Sequence, residues 1–288
     1  MKSVSVIIPN FNGQLLLHKN LTSVFEMVRE GDEVIIVDDH SSDNSIDWLT
    51  STYNLKKDLT KLTVSGNSYS EMIQYKRKHI YLIVVQNEEN VRFGATCNKG
   101  ALLANHELLF LLNNDVRPES DTLNFLVPHF KNDATFAVGC IETERLRSGK
   151  VTSSGKNILQ FKRGMYIHSR ANEMTSGETA WVSGGSGLFD KAKWNTLKGF
   201  DTAFAPAYWE DVDLSFRARE RGWKVLFDSR AKVDHTHETT NGSTFGNALI
   251  QKISWHNANY FTLKNSTWWQ KIQYLIWKPY WWWKVEKK

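Results

Sequence analysis

Five consecutive apolar residues, Leu108 to Leu112, run directly into Asn113-Asn114-Asp115. A run this short, closed by turn residues and then by Pro118, reads as a buried strand that stops at a turn. An unbroken apolar run, with no polar alternation, suits a strand of a parallel sheet covered on both faces. In open α/β sheets ligands bind beyond the carboxyl ends of the strands. Two amides and a carboxylate at such an end are either plain turn chemistry or hard oxygen donors for a divalent cation that holds a diphosphate.

The residues before this strand repeat its pattern. Residues 3–8 form a β-branched run closed by Pro9-Asn10-Phe11-Asn12-Gly13, which is strand and then turn. Leu17, Leu21, Val24, Phe25 and Val28 then recur with a helical period. Residues 33–37 form a second buried strand ending in Asp38-Asp39-His40-Ser41-Ser42-Asp43, and a second helix starts at Ser45. This βαβα opening predicts a parallel sheet. There is no GxGxxG after the first strand and no P-loop lysine, so a nucleotide would have to be held by other means. Asp38 and Asp39 could accept from a ribose hydroxyl or a base N–H, or could serve only the turn and the helix cap. Residues 56–78 are polar and weakly periodic and are expected to be a surface insertion. A strand at residues 80–85, a loop from Asn87 to Gly94 and a small-residue helix through Cys97, Asn98, Ala101 and Ala104 lead into the central strand.

The chain has 288 residues, 41% hydrophobic and 23% charged, an ordinary globular composition without a low-complexity linker. Cys97 and Cys140 make neither a disulfide framework nor a thiolate metal site, and reduced cytosolic cysteines are expected. Pro9, Asn10 and Asn12 break the first apolar run before a secretory core forms. No apolar run reaches the roughly 18 residues that a spanning helix needs. The net charge of +5 lies wholly at and beyond Lys264, where six lysines face one glutamate, so the rest of the chain is neutral. A nucleic-acid footprint needs a basic face on the body, and none is expected.

Taken together and in this order, these motifs resemble the family 2 glycosyltransferases of GT-A fold, particularly bacterial rhamnosyltransferase-like members. Pro9-Asn10-Phe11-Asn12 is similar to the loop after the family's first strand, and Asp38-Asp39 to the end of its second. Asn87, Glu89 and Asn90, then Asn98 and Gly100, are similar to the loop and helix before the metal motif. Asn113-Asn114-Asp115 stands where the family has Asp-x-Asp, and Arg92 stands where it usually has glycine. Gly199-Phe200-Asp201, Glu210-Asp211-Val212-Asp213-Leu214 and Arg217 resemble the acceptor side, and residues 231–235 the strand that delivers a histidine. The resemblance covers about residues 3–243.

It implies a GT-A domain over residues 1–245, with 55–79 as an insertion, and an inverting sugar transferase. Pro9, Asn10, Phe11, Asn12, Asp38, Asp39, Asn90, Arg92, Asn98, Asn113 and Asn114 would meet a nucleoside-diphosphate sugar. Asp115 and His235 would ligate Mn²⁺ or Mg²⁺, with Asn113 as a weak or water-mediated ligand. Oxygen donors with one imidazole suit those ions better than zinc. His237 is the alternative to His235, since both share a face of an extended strand. Gly184, Gly185, Trp209 and Glu210 would meet a glycan or lipid-linked acceptor in cell-surface polysaccharide synthesis. Asp211 would be the general base. The local sequence supports that role, because the apolar stretch Ala205-Pro206-Ala207-Tyr208-Trp209 and the adjacent acids both raise a carboxylate pKa. The same acids also suit a helix N-terminus. The alternatives are a nucleotidyltransferase on a similar sheet and a non-catalytic protein that retains the fold.

The last segment, residues 246–288, is expected to be a helical tail. Six of the twelve tryptophans lie beyond Lys264, among the lysines. Trp268, Ile272, Leu275 and Ile276 fall on one helical side, and Pro279 is expected to end or kink the helix. Tryptophan beside lysine is what a membrane–water interface selects, so an anionic membrane surface is the expected partner, at the cytoplasmic face. The other reading is a tail whose tryptophans pack onto protein.

Overall fold

The computed structural model describes residues 2–58, 66–145, 149, 151–235 and 240–286. Its first half contains β1 (Val4–Asn10), α1 (Gln14–Met27), β2 (Glu33–Asp38), α2 (Ser45–Thr52), β3 (Lys56–Lys57), β4 (Asn67–Tyr75), β5 (Lys78–Gln86), α3 (Arg92–Leu103) and β6 (Leu108–Leu112). The second half continues with β7 (Val116–Pro118), α4 (Thr122–Leu126), β8 (Thr135–Arg145), β9 (Val151–Ser154), β10 (Asn157–Lys162), β11 (Met165–Arg170), β12 (Gly177–Glu178), β13 (Ser186–Asp190), α5 (Lys191–Thr196), α6 (Glu210–Glu220) and β14 (Lys224–His235). It ends in α7 (Thr240–Asn265), α8 (Trp268–Trp281) and a π-helical turn, Trp282–Glu286.

Among the described residues one large sheet runs β12-β14-β8-β13-β6-β1-β2-β5-β4-β3, and β10 and β11 form a separate hairpin. Strands β5, β2, β1 and β6 are parallel, as the βαβα opening requires. Beyond β6 the sheet becomes mixed, since β13 runs antiparallel to both β6 and β8, and β14 parallel to β8. Alternate residues of each central strand enter different cores. Val4, Val6 and Ile8 of β1 pack with α1 on one face, whereas Ile7 packs with Cys97 and Ala101 of α3 on the other. The small residues of α3 let it lie close to β1, because a Cβ at Gly100 would stand 2.4 Å from Ile7 Cγ2.

Three expectations need correction. Part of the stretch expected to be a surface insertion, 55–79, belongs to the main sheet, because β4 pairs with β5 along its whole length. Its polarity is that of a strand near the sheet edge, paired on its outer side only by the two residues of β3 and largely half exposed. Pro279 does not end α8, which continues to Trp281 before the π-helical turn. Trp281, buried against the body, holds the last turn in place. Nor does packing break at 245/246. Ala258 and Phe261 of α7 and Tyr274 and Trp281 of α8 share one core with Met165, Phe204, Trp209 and Val212. Lys264, counted with the exposed tail charge, is ion-paired with Asp201 and Asp213.

Candidate active site

The carboxyl ends of β2, β1 and β6 lie side by side, so their terminal turns meet. Asn10 ties them together: its Nδ2 donates to Asp38 Oδ2 (2.8 Å) and Ser45 Oγ (3.1 Å), and its Oδ1 accepts from Asn114 Nδ2 (2.8 Å). Asp38 is fully buried and also accepts from the Ser41 amide (2.9 Å), so its carboxylate is used up in holding the turn. Asn12 Oδ1 accepts from the Ser42 amide (2.7 Å) outside the cleft. Neither residue is among those that line the cleft.

Asp39 does line the cleft, and it also caps α3. Its oxygens accept from the amides of Val91 and Arg92, each at 2.9 Å, and from Asn87 Nδ2 at 2.8 Å. Two of the N–H groups at this helix end, those of Val91 and Arg92, are thus already satisfied. Arg92 has φ 72°, in the left-handed region that favours glycine. Asn98 is turned away from the cleft. It donates to the Phe200 carbonyl (2.8 Å) and accepts from the Phe200 amide (2.9 Å), bracing the segment before α6.

Asp115 follows β6, and β7 immediately after it pairs antiparallel with β14, with His235 opposite Val116. That register places His235 Nε2 3.3 Å from Asp115 Oδ1. Asp115 is buried, and this oxygen accepts no hydrogen bond among the described residues. Burial lowers the His235 pKa, but Asp115 with Glu142 and Glu144 outweighs it, and the net shift is upward. Asn113 lies next to this pair, its amide bonded to the Gly185 carbonyl (2.9 Å). A Cβ at Gly185 would stand 2.7 Å from Asn113 Nδ2, so the glycine loop makes room for this side chain. A carboxylate oxygen without a donor, facing an imidazole, fits a hard divalent cation. No three His, Cys, Asp or Glu residues gather at one point among the described residues. Asp115 and His235 are the two residues that would hold such an ion. His237 lies outside the described residues.

Across the cleft α6 begins in an unusual turn. Tyr208 and Trp209 have φ 75° and 79°, strained for bulky residues. Asn257 of α7 holds the turn, its Nδ2 donating to the carbonyls of Phe204 (2.7 Å), Ala207 (2.9 Å) and Tyr208 (2.9 Å). The turn presents Glu210 and Asp211 to the cleft. Asp211 accepts from the amides of Gly184 (3.3 Å) and Val212 (2.8 Å). Burial nevertheless pushes its pKa up, to about 6. Burial and the neighbouring Asp211 raise Glu210 further, to about 8, and Glu210 Oε2 has no partner among the described residues. The third acid, Asp213, is neutralised by Arg217 (2.6 Å) and Lys264 (2.8 Å) and belongs to the framework.

These groups line one cleft of about 550 Å³. Of the residues expected from sequence it gathers Pro9, Asn10, Phe11, Asp39, Asn90, Arg92, Asn113, Asn114, Asp115, Gly184, Gly185, Trp209, Glu210, Asp211 and His235, and leaves out Asn12, Asp38 and Asn98. It also contains Tyr208, read from sequence as part of the apolar lead-in to the acids, and His168, Trp181 and Ser254, which sequence reasoning missed. His168 packs edge-on to Trp209 (4.7 Å) and Trp181 (5.7 Å), making an aromatic wall beside Asp211. Trp181 Nε1 is buried without a hydrogen-bond acceptor among the described residues. The density of aromatic residues was visible in the sequence, but their meeting point was not.

Residues 5–192 match the family model described as Glycosyl transferase family 2. The chain is 20% identical over 231 residues, 80% of its length, to the poly-beta-1,6-N-acetyl-D-glucosamine synthase of Staphylococcus aureus, covering 49% of that protein. It is 30% identical over 163 residues, 56% of its length, to the poly(ribitol-phosphate) beta-N-acetylglucosaminyltransferase TarP of the same species, covering 42%. The chain thus spans about half the length of the curated relatives it matches. GalNAc-T7, crystallised with UDP, GalNAc and Mn²⁺, superposes with a TM-score of 0.63 at 16% identity, over 82% of this chain and 44% of that one. The mannosyltransferase PcManGT from Pyrobaculum calidifontis, in complex with GDP-Man and Mn²⁺, superposes with a TM-score of 0.58 at 15% identity, over 96% and 73%.

Proposed function

The chain belongs to glycosyl transferase family 2 and has the GT-A fold, and from that premise we propose that it transfers a sugar, with inversion, from a nucleoside diphosphate to a hydroxyl of a glycan or lipid-linked acceptor in polysaccharide synthesis. The observation that carries this is the pairing of two unlike sites in one cleft. One side has the unsatisfied Asp115 oxygen beside His235, and the other has Asp211, raised toward neutrality at a helix N-terminus. Asp211 takes the proton of the acceptor hydroxyl as that oxygen bonds to the anomeric carbon. The bond from that carbon to the diphosphate breaks on the opposite face, and the nucleoside diphosphate leaves. Asp115 and His235 would hold a divalent cation, which would supply charge stabilisation for the departing diphosphate; the two similar structures were determined with Mn²⁺. Glu210, neutral at pH 7, is suited to donate to a substrate oxygen, and the wall of His168, Trp181 and Trp209 to pack against the acceptor ring.

The direct test is a panel of UDP-, dTDP- and GDP-sugars with Mn²⁺ or Mg²⁺ and assay of the nucleotide released. Release of the nucleoside diphosphate supports transfer. Consumption of a nucleoside triphosphate with release of pyrophosphate would instead favour a nucleotidyltransferase.

The acid pair sets a pH dependence. Asp211 acts only when ionised, so kcat/KM should rise with pH through about 6. Glu210 stays protonated until about 8, and ionising it sets a second charge beside the base. Glu210→Gln should keep activity at pH 7 and remove any change centred near 8. The folded chain holds this proton while the unfolded chain releases it near 4.5, so stability should fall as pH rises between these values. Glu210→Gln should flatten that fall, read as Tm against pH. An unchanged Tm profile would mean that Glu210 titrates normally.

Arg92 gives a second expectation. Its left-handed φ costs about 1 kcal/mol for a residue with a Cβ. Arg92→Gly should therefore raise stability by up to about 1 kcal/mol. If the guanidinium binds the donor diphosphate, the same change weakens donor affinity by about five- to tenfold. Equal affinity in a donor titration would assign Arg92 to the surface alone.

A further inference from the structure

Helix α8 has two faces of opposite character. On the inner face Tyr274 Oη donates to Asn259 Oδ1 (2.9 Å) and Trp281 Nε1 donates to the Arg163 carbonyl (2.7 Å). The helix sits so tightly on the turn between β10 and β11 that a Cβ at Gly164 would lie 2.5 Å from the Gln273 carbonyl oxygen. On the outer face Trp268, Leu275 and Trp282, and beside them Trp269, Ile276 and Trp283, are 53% to 69% exposed. The first two of each set lie seven residues apart on one stripe of α8, and the third, Trp282 or Trp283, follows seven residues on in the π-helical turn. Protein contacts fix this helix from one side and leave six large apolar side chains facing outward.

Cations border the stripe. Lys271 and Lys278 on α8, Lys284 in the following turn, and Lys162 and Arg163 at the adjoining hairpin turn are all exposed. The Arg163 guanidinium lies over the rings of Trp277 (5.6 Å) and Tyr280 (4.8 Å). No aspartate or glutamate occurs between residues 267 and 285. No described helix is long and apolar enough to cross a membrane.

We propose that this face lies on an anionic lipid surface, with the indoles at headgroup depth and the lysines and Arg163 against lipid phosphate. Charge selects this occupant. In a two-fold contact between copies of the chain the cationic border would meet itself, and like charges would face each other. The surface also stands close to the cleft. Trp281 packs on Trp255 (5.6 Å), next to Ser254, which lines the cleft with Ile250. An acceptor carried on a lipid would thus reach Asp211 from the bilayer side, although the lipid contact itself depends on the exposed stripe and not on the sugar chemistry.

The full chain is sedimented with vesicles of phosphatidylcholine alone or mixed with phosphatidylglycerol, at low and high salt. Two variants are compared, Trp269→Ser/Ile276→Ser/Trp283→Ser and Lys271→Glu/Lys278→Glu. These positions are exposed and lie outside the cleft, so Tm and donor binding measured without vesicles should be unchanged. The expected result is strong partitioning onto the anionic vesicles, weakened about tenfold or more by either variant and by salt. Failure of the unmodified chain to sediment at low salt, or sedimentation of either variant equal to that of the unmodified chain, overturns the proposal. So does sedimentation velocity showing a dimer that the triple variant converts to monomer, which would make the stripe a subunit interface. Loss of donor binding by the unmodified protein would count against the transferase reading and leave the vesicle result intact.

Discussion

Replacing Asp211 by asparagine is expected to lower kcat by about 10²–10⁴-fold while leaving donor affinity nearly unchanged. Asparagine keeps the volume of the side chain and one oxygen, so a bond from the Val212 or Gly184 amide survives. The turn that aims residue 211 is held from outside it, by Asn257 on three carbonyls, and does not depend on the carboxylate. What asparagine lacks is a site for the acceptor proton. The loss should therefore fall on kcat, and the rise of the pH profile near 6 should vanish from the residual rate. The measurement is steady-state kinetics beside a donor titration by thermal shift, since a ligand that binds only the native state raises Tm. If the variant no longer binds donor, Asp211 belongs to the donor site and the base must be sought elsewhere. Glu210 would be a poor substitute, because it stays protonated until about 8.

The parallel half of the sheet could be read from sequence because both its faces are covered. Residues 33–37 and 108–112 are apolar at every position but Glu33, and nothing but a buried strand fits between their turns. Strand β4 escaped notice because, next to the short edge strand β3, most of its side chains stay half exposed, so the residues show no clean alternation. The cleft residues that were legible sit at strand ends or at the start of a helix, places that topology alone turns toward one another. His235 was preferred to His237 on the resemblance alone, and the β7–β14 register sets it beside Asp115. Asn12, Asp38 and Asn98 fall outside the cleft lining for a common reason. A motif marks a position as necessary, but an amide or carboxylate there can serve a ligand or a backbone, and these three serve the backbone or a neighbouring turn. His168 and Trp181 could not be inferred, because their neighbourhood depends on a hairpin folding back across α6 and α7. The tail was separated from the domain on composition. Yet tryptophan satisfies a core as readily as an interface, and here Trp281 is buried while Trp269 and Trp283 stay exposed.

Replacing Asp115 by alanine is expected to remove cation-dependent donor binding and lower turnover by about 10²-fold or more. The two effects have one cause. Asp115 supplies the one buried carboxylate oxygen of this turn that accepts no hydrogen bond among the described residues, and His235 faces it at 3.3 Å. Asn113, where the family pattern has an acid, adds an amide without charge. With a single carboxylate, the site would depend on the donor diphosphate for its remaining oxygen ligands, so cation and donor should bind together and each should tighten the other. The expected measurement is a thermal shift that is large with donor and Mn²⁺ together and small with either alone. In Asp115→Ala the joint shift should collapse, and a large excess of Mn²⁺ should recover little of it. Asp115→Asn should behave similarly, because the amide keeps the shape and loses the charge. Restoring an acid at the neighbouring position, Asn113→Asp, should strengthen cation binding in the absence of donor, since a second charged oxygen would then face the same point. Donor binding and turnover that persist undiminished in EDTA would sink the metal role, and Asp115 and His235 would then be read as an ion pair that ties β7 to β14.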